Sequence, residues 1–280
     1  MSDRVFILGA GRAGRGLSRA LRASGVDVVG LHGRRTEGAP DAVTAGPLPA
    51  GARAATIVLI AVRDAQLDDA LGELTESAIA PDAVILHASG SATPPALGAL
   101  RARGHAAGTF HPLVPIADPA RAAALFRGAF IGLDGDEGAI AAGERLAARL
   151  GARTLRIPPG SKATYHAAAV IASNFPTVLA AVASRLLVGL GVPDDAAWGA
   201  IRALLHGAVA NLEGESAARA LTGPIARGDV DTVRQHLDAL RSDPATRELY
   251  VELSEVAVQL AREAGTDARA LASLERLLER

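Results

Sequence analysis

The sequence predicts a doubly wound α/β domain with a parallel sheet, followed by an all-α domain, and three observations carry that reading. Short β-branched runs alternate with helical segments through the first half of the chain. A glycine-rich turn separates the first such run from the first helix. After Pro158-Pro159-Gly160 no strand pattern recurs and helical patterns dominate. The division predicted is 1–157 and 158–280, and 280 residues are ample for two cores.

Each element follows from its pattern. "RVFILGA", "VDVVGL", "TIVLIAV", "AVILHAS" and "HAAGTFH" are strand candidates, apolar on both faces as a buried parallel sheet requires. Between them, "GRGLSRALRASG" and "AQLDDALGEL" read as helices, which gives the βαβα alternation of an α/β domain. A further strand, "AFIGL", leads to the helix "AIAAGERLAARLG" and the strand "ARTLRI". "DGDEG" near Asp134 is too short for a calcium loop and reads as a strand-to-helix turn. Beyond the boundary, helices are expected at roughly 161–190, 195–210, 230–241 and 244–280, with loops at "GVPDD" and "LTGPIARGD". The nearly uncharged stretch Ala167–Ala183 holds Ser173, Asn174 and Pro176 and is borderline in length for a membrane span. It reads as a helix buried in the helical core or against a second subunit.

Composition excludes several classes of function. A net charge of −1 lacks the basic excess that nucleic acid or an anionic membrane requires. Aromatics at 3% offer no stacking platform for single strands. With no cysteine there is no disulfide, thiolate metal site or cysteine nucleophile. The seven histidines show no metal-ligand spacing, so no metal is expected. "MSDRVFILGAG" runs straight into a strand without a signal peptide, and the expected location is the cytoplasm.

"FILGAGRAGRGLSRAL" places Gly9-x-Gly11-x-x-Gly14 between a strand and a helix, the context that makes this motif a Rossmann-type dinucleotide fingerprint. Gly9 permits the tight turn, Gly11 lets the backbone approach a pyrophosphate, and Gly14 lets helix and sheet pack closely. Arg12 and Ala13 open the helix whose N-terminus faces the phosphates. The second strand ends in "GLHGRRTEG", with no carboxylate before Glu37 to take a ribose 2′-hydroxyl. Arg34 and Arg35 stand near that position and suit a 2′-phosphate, so NADP is expected over NAD. Loops after the later strands should reach the nicotinamide and substrate: "AVRDAQ" with Val62, "HASGSATPP" with Ser89, and "FHPLVPI" with His111.

Of 29 basic residues one is lysine, and it heads the apolar helix of "SKATYHAAAVIASNF". On a helix, Lys162 and His166 share a face as i and i+4, Ser173 returns to that face and Asn174 flanks it. A cation, an imidazole and an amide beside a nicotinamide could supply a proton and orient a carbonyl or imine. In "LTGPIARGD", Asp229 suits an N-cap, while Thr222 and Arg227 could bind an anionic part of a substrate.

This arrangement resembles the 6-phosphogluconate-dehydrogenase-like superfamily, with its β-hydroxyacid dehydrogenases, ketopantoate reductase and pyrroline-5-carboxylate reductase. "FHPL", "KATYHAAAVIASNF" and "LTGPIARGD" are similar to a bacterial family of oxidoreductases that joins a Rossmann-like domain to a helical domain of unknown function. The resemblance implies a homodimer formed by the helical domain. It also implies a catalytic role for Lys162, at the head of the interdomain helix, and a substrate-loop role for Ser89. Those dehydrogenases place asparagine four residues after the lysine; here that position is His166 and Asn174 comes later, so either Lys162 or His166 would transfer the proton. The expected activity is hydride transfer between NADP and a small carbonyl, hydroxy or imine compound. A nucleotide-responsive binding protein without turnover, or a reductase of a deazaflavin-type carrier, stays open at this point.

Overall fold

The structure, a computed structural model, describes residues 3–34, 42–77 and 79–279. Arg35 lies outside the described residues. Two compact units divide between Asn174 and Phe175.

The first unit alternates strands and helices in the order β1 (Arg4–Leu8), α1 (Arg12–Ala23), β2 (Asp27–His32), α2 (Ala50–Ala54), β3 (Ile57–Ile60) and α3 (Leu67–Glu76). It continues with β4 (Val84–His87), α4 (Leu97–Ala102), β5 (Ala107–Pro112), α5 (Ala122–Phe126), β6 (Phe130–Gly135), α6 (Glu137–Leu150) and β7 (Arg153–Arg156). The seven strands lie in the order β2-β1-β3-β4-β5-β6-β7. Six neighbouring pairs form the sheet and only β5–β6 runs antiparallel, so the sheet departs there from the all-parallel arrangement expected.

Alternation along the strands feeds two cores. Val5, Ile7, Ile57 and Leu59 face the layer that holds Leu17, Leu21 and Leu146, while Phe6, Leu8, Val58 and Ile60 face Leu67, Leu71 and Leu100. Because successive side chains point to opposite faces and both faces are covered, these strands carry apolar residues at every position. The β7 edge is different: its four residues are exposed. Arg153 stacks over the Phe130 ring at 4.2 Å and Arg156 pairs with Glu137 and Glu144, charges that blunt an open edge.

The topological switch point lies where β1 has β2 on one side and β3 on the other. Gly9 has φ +117°, and a Cβ there would collide with the carbonyl of Ala61 at the end of β3. A Cβ on Gly14 would collide with the Gly9 carbonyl, which is the close helix–sheet approach expected of that position. At Gly11 no atom stands within 4 Å of a Cβ position, so this face of the turn is open.

A 28-residue helix, α7 (Lys162–Gly189), begins in the first unit and runs into the second, with Pro176 inside it. The second unit adds α8 (Asp194–Asn211), α9 (Ala217–Ala220), α10 (Val230–Ala239), α11 (Pro244–Glu263) and α12 (Ala268–Leu278). Its core joins α10, α11 and α12 through Val233, Leu237, Val258, Leu271 and Leu274, with Ile225 of the "LTGPIARGD" loop added. The expected single stretch from 244 to 280 is broken after α11, where Gly265 takes φ +88° and Asp267 caps α12. Asp229 caps α10, accepting from the Thr232 amide at 3.1 Å.

One expectation is corrected. The apolar stretch Ala167–Ala183 is not buried within the chain: Ile171, Phe175 and Val178 are exposed, as are Leu186 and Leu190 beyond it. It is apolar on all sides, but the chain's own helices leave it largely uncovered. By length and composition alone it is also the one described helix able to cross a membrane.

The switch point yields a prediction. Gly9→Ala forces a Cβ against the Ala61 carbonyl from a backbone conformation unfavourable to L-residues, and should destabilise the first unit by about 2–3 kcal/mol or more in urea unfolding. An unchanged midpoint would contradict the close approach.

Candidate functional site

The carboxyl ends of β1, β3, β4 and β5 converge on one cleft of about 530 Å³. Its wall begins at Gly11, Arg12 and Ala13 of the glycine turn and passes Ala61, Val62 and Arg63 after β3 and Ala88 after β4. It ends at His111 and Pro112 of β5 and the following segment Val114–Ala117. The N-terminus of α1 opens here with its first amides free of any side-chain cap, since the N-cap is Gly11. A glycine turn whose Cβ direction is open, facing a helix N-terminus, fits a dinucleotide pyrophosphate.

Basic residues stand at the same end. Arg12 and Arg63 line the cleft, and Arg34 lies exposed just after β2. With its amide oxygen turned toward them, Gln66 accepts from Arg63 Nη2 and from Arg34 Nη1, each at 2.9 Å. Two guanidinium groups brought together by one amide form a ready anion-binding pair. Arg63 was not singled out in the sequence, although it lies in the quoted "AVRDAQ" loop. Its signal is a cation one residue past the turn of a buried strand.

Lys162 heads α7, as its sequence position suggests. Its side chain is buried, 6% exposed, and its ammonium donates to the Ala92 carbonyl and to Thr109 Oγ1, the latter at 2.7 Å. Burial lowers its pKa from the ordinary lysine value. Thr109 Oγ1 also lies 3.3 Å from Nε2 of the buried His87. Lys162 thus ties the first turn of α7 to β5 and to the loop after β4, and it is not among the residues that line the cleft. Ser89 is likewise turned inward: its hydroxyl accepts from the Ala92 amide at 3.0 Å and shapes the same loop. Ser91 donates to Asp64 at 2.7 Å, joining that loop to the end of β3.

His111 is the imidazole in the cleft wall. Its Nδ1 lies 2.8 Å from the Tyr165 hydroxyl, and the His166 ring stands edge-on to it with centroids 5.9 Å apart. Burial first, and then the neighbouring charges of His166 and Lys162, push His111 down to about 4. Burial and Lys162 push His87 down to about 3. Both rings are therefore neutral at physiological pH. His166 Nδ1 is sealed from solvent and has no hydrogen-bond partner among the described residues. Tyr165, absent from the sequence reading, gives no sign there of its partner, which lies 54 residues away.

The other candidates lie further along the chain. Asn174 is exposed and lies twelve residues beyond Lys162, about 18 Å along the helix axis, so it does not join this cluster. Thr222 and Arg227 are exposed on the loop before α10 in the second unit. Groups of histidine, aspartate or glutamate able to hold a metal are absent among the described residues.

A strand, a glycine turn and a helix N-terminus at the switch point of a doubly wound sheet define a Rossmann-type protein, here followed by a helical unit. Residues 129–257 match the family described as "Domain of unknown function (DUF2520)". Among solved structures, protein TM1727 from Thermotoga maritima is 24% identical, with 92% of this chain and 98% of that one covered and a TM-score of 0.70. A candidate NADP oxidoreductase from Bacteroides fragilis is 21% identical over 91% of this chain and 98% of that one, with a TM-score of 0.67. A pyrroline-5-carboxylate reductase from Coxiella burnetii is 20% identical over 95% and 99%, with a TM-score of 0.59. No curated protein matches the chain. These likenesses show a shared fold: a Rossmann-type sheet with a helical C-terminal region, in agreement with the resemblance drawn from the motifs.

The two neutral imidazoles set a pH dependence. Their folded pKa values lie below the ordinary 6.5, so the unfolded chain binds more protons as the pH falls. The stability they contribute is complete above about pH 6.5 and is lost as the pH drops toward 4. Between about pH 6.5 and 5 the loss should reach at most about 2 kcal/mol per imidazole. Urea unfolding across this range would show it, and replacing both His87 and His111 by Gln should flatten the slope. A slope unchanged by the double substitution would refute the assignment.

Proposed function

We propose that this protein is an NADP-dependent oxidoreductase that moves a hydride between the nicotinamide and a small carbonyl, hydroxy or imine compound. The observation that carries the reading is the single cleft whose wall runs from the glycine turn and Arg63 to His111. Such a wall gives one elongated ligand a phosphate-binding end and an end with a polar group for chemistry. Gly9, Gly11 and Gly14 shape the turn, while Arg12, Ala13 and Val62 border the dinucleotide. Arg34 and Arg63 take the 2′-phosphate, with Arg35 next to Arg34 in sequence.

NADP, when bound, supplies the hydride; this chain's residues bind it and orient the acceptor. His111 holds the heteroatom of the substrate by a hydrogen bond. Lys162, Thr109 and Ser89 hold the loop after β4 and the start of α7 in place around it, and His166 packs against the His111 ring. In this reading the lysine and His166 support the imidazole instead of delivering the proton.

Thermal-shift titration tests the cofactor. At 100 times its Kd, a ligand specific to the folded state adds about 2.7 kcal/mol. NADPH should raise Tm by several degrees and NADH by less, and Arg34→Ala with Arg63→Ala should weaken NADPH about tenfold or more while sparing NADH. A folded protein that responds to neither nucleotide would refute the proposal.

A homodimer is part of the same reading. Val178, Leu186, Leu190, Leu204, Val209 and Leu212 of the second unit are exposed, more apolar surface than a lone chain commonly leaves in water. Gly199 and Gly207 on α8 have no atom within 4 Å of a Cβ position, leaving room for a close helix approach. We propose that a second copy of this chain covers this surface. Light scattering after size exclusion should give twice the 28.4 kDa chain mass, and Leu204→Glu should shift it to the single chain. A wild-type protein that runs as a monomer at micromolar concentration would contradict this.

A further inference from the structure

His111 and Tyr165 are seated by two glycines. A Cβ on Gly90, in the loop after β4, would lie 2.6 Å from His111 Cε1 and 2.8 Å from each ring nitrogen. Gly132 on β6 is the antiparallel partner of His111. A Cβ there would collide with the Tyr165 hydroxyl and lie 2.6 Å from its Cζ. Neither glycine has a positive φ. Their backbones do not demand glycine; the space occupied by the two rings does.

The sense of the hydrogen bond between the rings follows the tautomer of His111, and Nδ1 is the one hydrogen-bond partner of the phenol and its proton among the described residues. Burial pushes Tyr165 up to about 12, which keeps that proton on the oxygen. A neutral imidazole that accepts on Nδ1 carries its own proton on Nε2. Nε2 has no protein partner among the described residues and is not sealed from solvent, and its ring stands in the cleft wall.

We propose that Tyr165 is a positioning residue, whose phenol, seated with the imidazole on Gly132 and Gly90, holds His111 as a neutral Nε2–H donor toward an uncharged carbonyl oxygen or imine nitrogen. This rests on the reading of the cleft as a reductase site. A neutral donor favours an uncharged acceptor, since a carboxylate would be better served by a cation. The role is hydrogen bonding to a heteroatom that gains electron density as the hydride reaches carbon. The ring gives up no proton; water in the cleft supplies it.

The test is long-range proton–nitrogen NMR on the full chain labelled with ¹⁵N-histidine, without ligand, the His111 signals being assigned through His111→Gln. The wild-type ring should show the Nε2–H tautomer at neutral pH and remain neutral to about pH 5. Tyr165→Phe should give mixed tautomers and a pKa that moves up toward the ordinary value. Gly132→Ala, which displaces the phenol while leaving it in the chain, should do the same and serves if Tyr165→Phe fails to fold. A wild-type Nδ1–H tautomer, or a His111 signal indifferent to both substitutions, would overturn the inference. The NADPH thermal shift is measured in parallel. A fixed Nε2–H tautomer in a wild-type protein that ignores NADPH overturns the reductase reading and the proposed acceptor with it. A wrong tautomer in a protein that binds NADPH overturns this inference alone.

Discussion

The first unit depends on a contact that leaves no room for a side chain: the backbone at Gly9 against the carbonyl of Ala61. β1 and β3 are parallel neighbours, and the connections that follow them leave toward opposite faces of the sheet, which opens the cleft. The Gly9 amide donates to His32 at 2.7 Å and the Ala61 amide to Leu8 at 2.7 Å, so the ends of three strands are pinned around this turn. Gly14 then lets α1 settle on the Gly9 carbonyl and aim its N-terminus into the opening. Without this approach the helix would stand off, and the wall that joins Gly11 to His111 would not close.

At the other end of the wall, burial and one nearby charge together set the state of two imidazoles. A buried ammonium is costly unless its protons are used, and Lys162 spends two on Ala92 and Thr109. Its charge adds to burial in holding His87 and His111 neutral. Neutral rings need fewer counter-charges, so the cluster can remain compact. The lysine is scarce in this chain and well placed, but its placement serves the geometry of β4, β5 and α7.

The helical unit shows a different balance. Its core on α10, α11 and α12 is closed, and the aspartates Asp229, Asp243 and Asp267 cap all three helices. α7 and α8 instead display apolar residues to the outside. A periodic pattern tells which helix needs a partner less well than it tells that a helix exists, because a helix apolar on every side suits a chain's own core and a subunit contact equally.

The local signals were legible. Strand alternation, the glycine spacing and the Asp229 cap act over a few residues, and their physics is complete within those few; they determined the α/β-then-α architecture and the glycine turn. What lay beyond reach was pairing across the sheet. Thr109 meets His87 only because β5 runs beside β4, and Lys162 and Tyr165 meet Thr109 and His111 only because α7 starts over β5. Gly90 and Gly132 look like ordinary loop and strand glycines until the rings that occupy their missing side chains are in place. Sequence alone therefore determined which elements form and where the glycine turn opens. Tertiary structure decided which polar groups face it, since side-chain direction and hydrogen-bond partners depend on residues 50 to 70 positions apart.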